Sequence, residues 1–118
     1  MGDADGYFQI RRLGSDGHFA LSGELDMAVT GRLLEAVQPA IDQNRYVTLD
    51  LSKLSFLDCA GVRAFAEAGQ RAARLGVAIV LRSPSRPALR VLEMVRADRL
   101  TGVTILRRDG IASWASSG

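Results

Sequence analysis

Asp58 and Cys59 are the residues of this chain best placed to do chemistry or to receive it. The chain has one cysteine, and it stands directly after a carboxylate, in Phe56-Leu57-Asp58-Cys59-Ala60-Gly61. A thiol at the start of a helix is open to a lowered pKa, so a redox switch at Cys59 is one reading. The plainer reading is a small, half-buried residue tolerated where serine would fit, since cysteine commonly behaves as a small hydrophobe. We prefer the plainer one. Catalysis has a thinner case. His18 is the one histidine in the chain, and a Cys59–His18 pair has no evident third group to orient it. Asp50 and Asp58 flank the same turn without metal ligands nearby. A lone cysteine excludes an internal disulfide and an all-cysteine metal site, and a lone histidine argues against a multi-histidine one. No Gly-Lys-Ser/Thr loop is present to cradle a nucleotide. The expectation is a protein that is not an enzyme and carries no cofactor and no metal.

The elements that position Asp58 and Cys59 lie in residues 47–65, VTLDLSKLSFLDCAGVRAF. Val47, Leu49 and Leu51 alternate with Thr48, Asp50 and Ser52, the two-residue period of a strand. Val62, Phe65 and Ala66 fall on one side of a helical wheel, continued by Gly69, Ala72 and Ala73. Residues 56–61 are then a tight strand-to-helix junction. Asp58 is a good N-cap, because its carboxylate can accept from the free amides of a first helical turn. The small residues after it let another molecule approach the backbone. Gly61 is expected to serve close packing more than ligand contact.

Around this stretch, residues 7–13 and 18–23 read as two short strands joined by the turn cluster Gly14-Ser15-Asp16-Gly17, a hairpin. Asp26 is placed to cap a helix in which Val29, Leu33, Val37 and Ile41 recur at helical spacing, with Leu34 beside them. Pro39 should kink or shorten it. The junction helix runs to Leu75, with Gly76 as its stop. Residues 77–81 are apolar on both faces, as in a buried parallel strand. A loop at residues 83–87 enters a third helix with a stripe of Leu89, Leu92 and Val95, Val91 alongside. Residues 103–106 form a last strand. Asp109 is placed to cap a brief final helix through Ile111 and Trp114. Strands alternating with helices imply right-handed crossovers in a mostly parallel sheet. The fold class is therefore α/β: one domain over residues 1–118, with its core at about 7–107. Four to five strands, an antiparallel N-terminal hairpin and three to four helices are expected.

Composition narrows the functions further. Length suits a single modest core. No apolar run is long enough for a membrane span. Residues 1–6 are acidic and lack the apolar stretch of a secretion signal, and Gly6 stands where a myristoylation site needs Ser or Thr. A cytoplasmic location is the default. The net charge is +2, carried almost wholly by arginine, with Lys53 the one lysine. No basic block and no interleaved aromatics appear, so no direct contact with nucleic acid is expected.

Two motifs, Leu21-Ser22-Gly23-Glu24-Leu25-Asp26 and Leu49-Asp50-Leu51 through Phe56-Leu57-Asp58-Cys59-Ala60-Gly61-Val62, are separated by one helix. Together they resemble the STAS domain family, the fold of bacterial anti-sigma factor antagonists. The resemblance implies a binding module that docks onto an anti-sigma factor, often a serine protein kinase, and frees a sigma factor. It also implies phosphorylation of a serine directly after the junction aspartate, which abolishes binding. A phosphate there adds nearly two negative charges beside Asp58 and near Asp26. This chain has Cys59 at that phospho-acceptor-equivalent position, and a thiol is not a serine kinase's substrate. The expected partner-binding face joins Glu24 and Asp26 to Asp58, Cys59, Ala60, Gly61 and Arg63. For Asp26 and Asp58 a plain capping role stands equally. STAS modules also occur in lipid and solute transporters, so a cytosolic transporter subunit is the second reading. A homodimer stays open.

Overall fold

The computed structural model describes residues 7–14 and 17–107. Five strands form one sheet in the order β1-β2-β3-β4-β5. They are β1 (Phe8–Arg12), β2 (His18–Leu25), β3 (Tyr46–Leu57), β4 (Ala78–Arg82) and β5 (Val103–Leu106). β1 pairs antiparallel with β2, while β2–β3, β3–β4 and β4–β5 are parallel. Each parallel step needs a crossover, supplied by α1 (Thr30–Gln43), α2 (Cys59–Arg74) and α3 (Arg86–Met94). A 3₁₀ turn at Ala97–Arg99, not foreseen in the sequence, follows α3. Sequential strands with crossovers of one hand put the helices on one face of the sheet. The burial follows: Phe8, Phe19, Leu21, Val47, Leu49, Leu51, Ile79, Leu81, Val103 and Ile105 all face the helices and are buried. The expected mixed sheet with an antiparallel edge is what the chain forms. The final helix expected near residues 109–114, and the Ser15-Asp16 part of the first turn, lie outside the described residues.

Several local expectations are corrected. Phe56 and Leu57 belong to β3, not to the junction, so that strand spans twelve residues. The eight residues of β2 pair along Thr48–Leu57 because β3 carries two irregularities there: Ala20 pairs with Asp50 but Ser22 with Lys53, and Gly23 with Leu54 but Glu24 with Phe56. Each slip inserts one residue on β3. The inward positions therefore run Val47, Leu49, Leu51, then Leu54, then Leu57, all buried. Without the bulges, Leu54 would face solvent, since a one-residue offset swaps the faces of a strand.

Asp26 does not cap α1. Its Oδ1 accepts from the Ala28 amide at 3.0 Å, an Asx turn. The turn through residues 27–29 intervenes, and α1 starts after Val29 without a side-chain cap. Pro39 neither ends nor shortens α1, which runs on to Gln43. Pro39 is exposed, so the Glu35 carbonyl that loses its amide partner sits on a face water can reach.

The buried face of α2 is Gly61, Val62, Ala64, Phe65, Ala68, Gly69 and Ala72, so Ala66 and Ala73 lie off it. In an alanine-rich helix the small residues fit either side, and the large ones alone fix the direction. For α3 the buried pair is Ala88 and Leu92, with Leu89 and Val91 half-buried and Val95 exposed beyond the helix end. Strand β4 buries Ile79 and Leu81 but leaves Ala78 and Val80 half-exposed, because no described helix covers the second face. Between α1 and α2, Arg71 donates to Gln38 Oε1 at 2.9 Å and pairs with Glu67 at 2.6 Å.

Gly23 shows why the first motif needs glycine. Its φ is +86°, and a Cβ there would lie 1.7 Å from the Tyr7 carbonyl oxygen. Gly23→Ala is therefore expected to destabilise the domain by about 1–3 kcal/mol. The denaturation midpoint should fall with the slope unchanged.

Candidate functional site

The junction is built by the far end of the β2–β3 pair. Leu25 pairs with Leu57 and Glu24 with Phe56. Both strands end together, and residues 24–26 are thereby brought beside residues 56–58. The Ser55 hydroxyl donates to the Gly23 carbonyl at 3.1 Å, tying the bulged end of β3 back to β2. The Ser85 hydroxyl donates to the Leu54 carbonyl at 2.6 Å from the other side, and the Ser85 amide to Leu51 at 3.1 Å. These bonds satisfy carbonyls that the bulges would otherwise leave without ladder partners.

Asp58 caps α2 as expected. Its backbone is extended, and Oδ1 accepts from the Gly61 amide at 2.9 Å. Gly61 is buried, and a Cβ on it would meet Leu57 Cδ1 at 2.5 Å and the Leu25 carbonyl oxygen at 2.9 Å. Its place in the site is to let α2 close down on the ends of β2 and β3. Cys59 is exposed, not half-buried, because the first residue of the helix points away from the Leu25–Leu57 contact. Ala60 is half-buried and Arg63, one turn on, is exposed. Glu24, Asp26 and Asp58 are half-buried on the same rim.

Two residues at this end were not singled out in the sequence. Met27 is 77% exposed and Phe56 45% exposed. Met27 follows Asp26 in the turn, and Phe56 is the register partner of Glu24. Both look like ordinary core residues in a sequence. Their exposure follows from the bulges and the Asx turn, neither of which leaves a periodic signature. This end of the molecule thus shows two exposed apolar side chains, three half-buried carboxylates, one exposed thiol and one exposed guanidinium.

His18 is at the opposite end of β2, paired with Thr48. Seven residues of strand, roughly 20 Å, separate it from the level of the junction, too far for a thiol–imidazole pair. No group of three or more His, Cys, Asp or Glu side chains arranged to hold a metal ion occurs among the described residues. No described helix is long and apolar enough to cross a membrane.

A family model described as "Mlab, STAS domain" matches residues 8–106. No curated protein matches the sequence. Solved structures do. The anti-sigma factor antagonist SpoIIAA in its unphosphorylated form is 18% identical, with a TM-score of 0.64 over 86% of this chain and 90% of that one. An anti-sigma factor antagonist from Mycobacterium paratuberculosis is 23% identical, with a TM-score of 0.61 over 81% and 84%. The phosphorylated form of the Bacillus cell fate determinant SpoIIAA is 18% identical, with a TM-score of 0.59 over 86% and 93%. At these identities the likeness is one of fold.

The cap predicts a graded response. Asp58→Ala should cost about 1 kcal/mol through loss of the Gly61 bond, and Asp58→Asn should recover most of it. Chemical denaturation of the three proteins side by side measures both.

Proposed function

The chain belongs to the STAS domain family, and on that premise we propose that its β3–α2 junction is a docking face for a protein partner. The partner is an anti-sigma factor of the serine-kinase type, and docking releases a sigma factor. The protein acts in the cytoplasm, does no chemistry of its own, and uses no cofactor. The observation that carries this reading is the uncovered rim itself. Exposed Met27 and Phe56 sit among Glu24, Asp26 and Asp58, with Cys59 and Arg63 on the first turn of α2. Apolar anchors ringed by charge are what a specific transient interface needs, the anchors for affinity and the charges for selection. The similar solved structures are antagonists of anti-sigma factors, which supports the choice of partner.

Cys59 removes the usual control of such a face. In the family's switch a phosphoryl group enters beside the junction carboxylate, and repulsion with desolvation ends the docking. The Cys59 position is exposed, so the acceptor site is open to a kinase in geometry but wrong in chemistry. Docking by this chain is accordingly not ended at this residue.

A second reading is favoured by one finding. The matching family model is described by Mlab and not by the sigma-factor antagonists. STAS modules also serve lipid and solute transporters, and the same rim could seat on a cytosolic transporter component. Co-purification from the native host separates the two: an anti-sigma factor in the soluble fraction supports the first, and a membrane-derived complex the second. If neither is recovered and Asp58→Lys changes no interaction, the docking reading is wrong.

Two outcomes are expected. Incubation with a cognate serine kinase and labelled ATP should leave the wild type unlabelled and label Cys59→Ser. Phe56→Ala and Met27→Ala should each weaken partner binding by about tenfold or more while leaving the melting transition nearly in place, as for anchors at an interface centre. Label on wild-type Cys59 would contradict the first, and unchanged affinity in both variants the second.

A further inference from the structure

The face of the sheet turned away from the helices carries a groove of about 420 Å³. Register explains its position. His18 pairs with Thr48 and Thr48 with Val80, making one row across the sheet. Asp50 pairs with Arg82 and Arg82 with Leu106, making the next. These positions alternate with the buried ones, so their side chains stand on the open face. Val80 and Leu106 give an apolar floor, and Tyr46, 61% exposed as a residue, stands at one end.

Arg82 and Arg107 line the groove together with His18, and no carboxylate does. Neither arginine has an ion-pair partner among the described residues. Asp50, the register neighbour of Arg82, is turned instead to Ser52, accepting from its amide at 2.9 Å and its hydroxyl at 2.6 Å. Arg82 is thus left unneutralised on an open surface.

Two further observations point to an occupant. Thr48 is the one buried polar residue among those described, 7% exposed, and it lines the groove. Its hydroxyl has no hydrogen-bond partner among the described residues. No fully buried side-chain oxygen or nitrogen lacks a partner, so that hydroxyl is reached from the groove. Ser83, at the groove's rim, holds a left-handed backbone with φ +52°, while its amide donates to the Leu106 carbonyl at 2.7 Å. A non-glycine residue takes that conformation at a cost, and such costs gather at binding sites.

We propose that this groove binds a small organic phosphate with a flat body, held by Arg82 and Arg107 and oriented by Thr48. The guanidinium forks match phosphate oxygens in geometry and charge. Tyr46, Val80 and Leu106 take the planar part, and His18 adds a donor at the head. The volume lies within the range of small-molecule sites. The row of register pairs that carries the groove ends at Asp50, seven residues and roughly 20 Å of strand before the end of β3. It is therefore a site separate from the docking rim.

Titration of the full-length protein with phenyl phosphate, adenosine monophosphate and inorganic phosphate, followed by amide NMR at low salt, tests this. The amides of Val80, Ser83 and Leu106 should move, and that of Gly61 should not. Inorganic phosphate should bind at least about tenfold more weakly than either organic ester, because the apolar floor is then unused. Arg82→Ala and Arg107→Ala should each weaken binding by about tenfold, the worth of a charge-assisted hydrogen bond, and Thr48→Val by severalfold. Arg82 is exposed and Thr48→Val keeps the shape of its side chain, so both variants should fold, which their spectra report. Absence of shifts in the groove up to roughly 10 mM ester, shifts centred elsewhere, or affinities unchanged in the arginine variants would overturn the proposal.

Discussion

The parallel pairing of β2 with a longer β3 is the constraint on which the rest depends. The eight residues of β2 pair along Thr48–Leu57 of β3, and two bulges absorb the two extra residues of that stretch, while Tyr46 and Val47 extend past β2 to pair with β4 alone. Each bulge keeps an apolar side chain on the helix-facing side, Leu54 after the first and Leu57 after the second. Each also raises the local twist of the strand. Ser55 from within β3 and Ser85 from the loop before α3 bond the carbonyls of Gly23 and Leu54 there. The same pairing fixes where β3 stops. Leu57 ends level with Leu25, so the Asx turn after β2 and the capped start of α2 emerge side by side.

How much of this a reader of the sequence can see depends on whether a feature is periodic. Residues 47–51 alternate, and β3 is legible there. Leu51, Leu54 and Leu57 are spaced by three, which breaks the strand period without setting up a helical one. The end of β3 therefore reads as part of a turn. The Asp58 cap is legible because it depends on one residue type at one place, followed by a helix. Asp26 offers the same signal and yields an Asx turn, because Val29, not Asp26, precedes the first helical residue. The direction of α2 is blurred by its alanines. Gly23 and Gly61 stand out by type, but their reasons differ. One needs positive φ beneath a neighbouring carbonyl, and the other needs the absence of a side chain against Leu25. Met27 and Phe56 were hidden because an isolated large hydrophobe in a sequence is ordinarily assigned to a core.

The sheet's two faces differ in character. One face is closed by three helices and holds nearly all of the large apolar side chains. The other is half-polar, with His18, Thr48, Asp50 and Arg82 at successive register positions. A parallel sheet covered on both faces would have apolar residues on both, and β4 reads that way in sequence as Ala78-Ile79-Val80-Leu81. Val80 is half-exposed all the same. An apolar residue kept on an open face beside an unpaired guanidinium is not explained by core packing, since it contributes nothing to the buried side.

The junction and the open face are linked through β3, and the link has a definite place. Asp50 accepts two hydrogen bonds from Ser52 where the register first slips. On the groove side of that point β3 pairs regularly with both neighbours. Past it, β4 has ended and β3 pairs with β2 alone, held otherwise by Ser85. The β3–α2 junction thus stands on the half of the strand that β4 does not flank, where the Asp58 cap and the close seat of Gly61 join it to α2. Neither contact involves the side chain of residue 59. Replacing a hydroxyl by a thiol at an exposed first helical position leaves both intact. The shape of the rim therefore does not depend on whether residue 59 can accept a phosphoryl group.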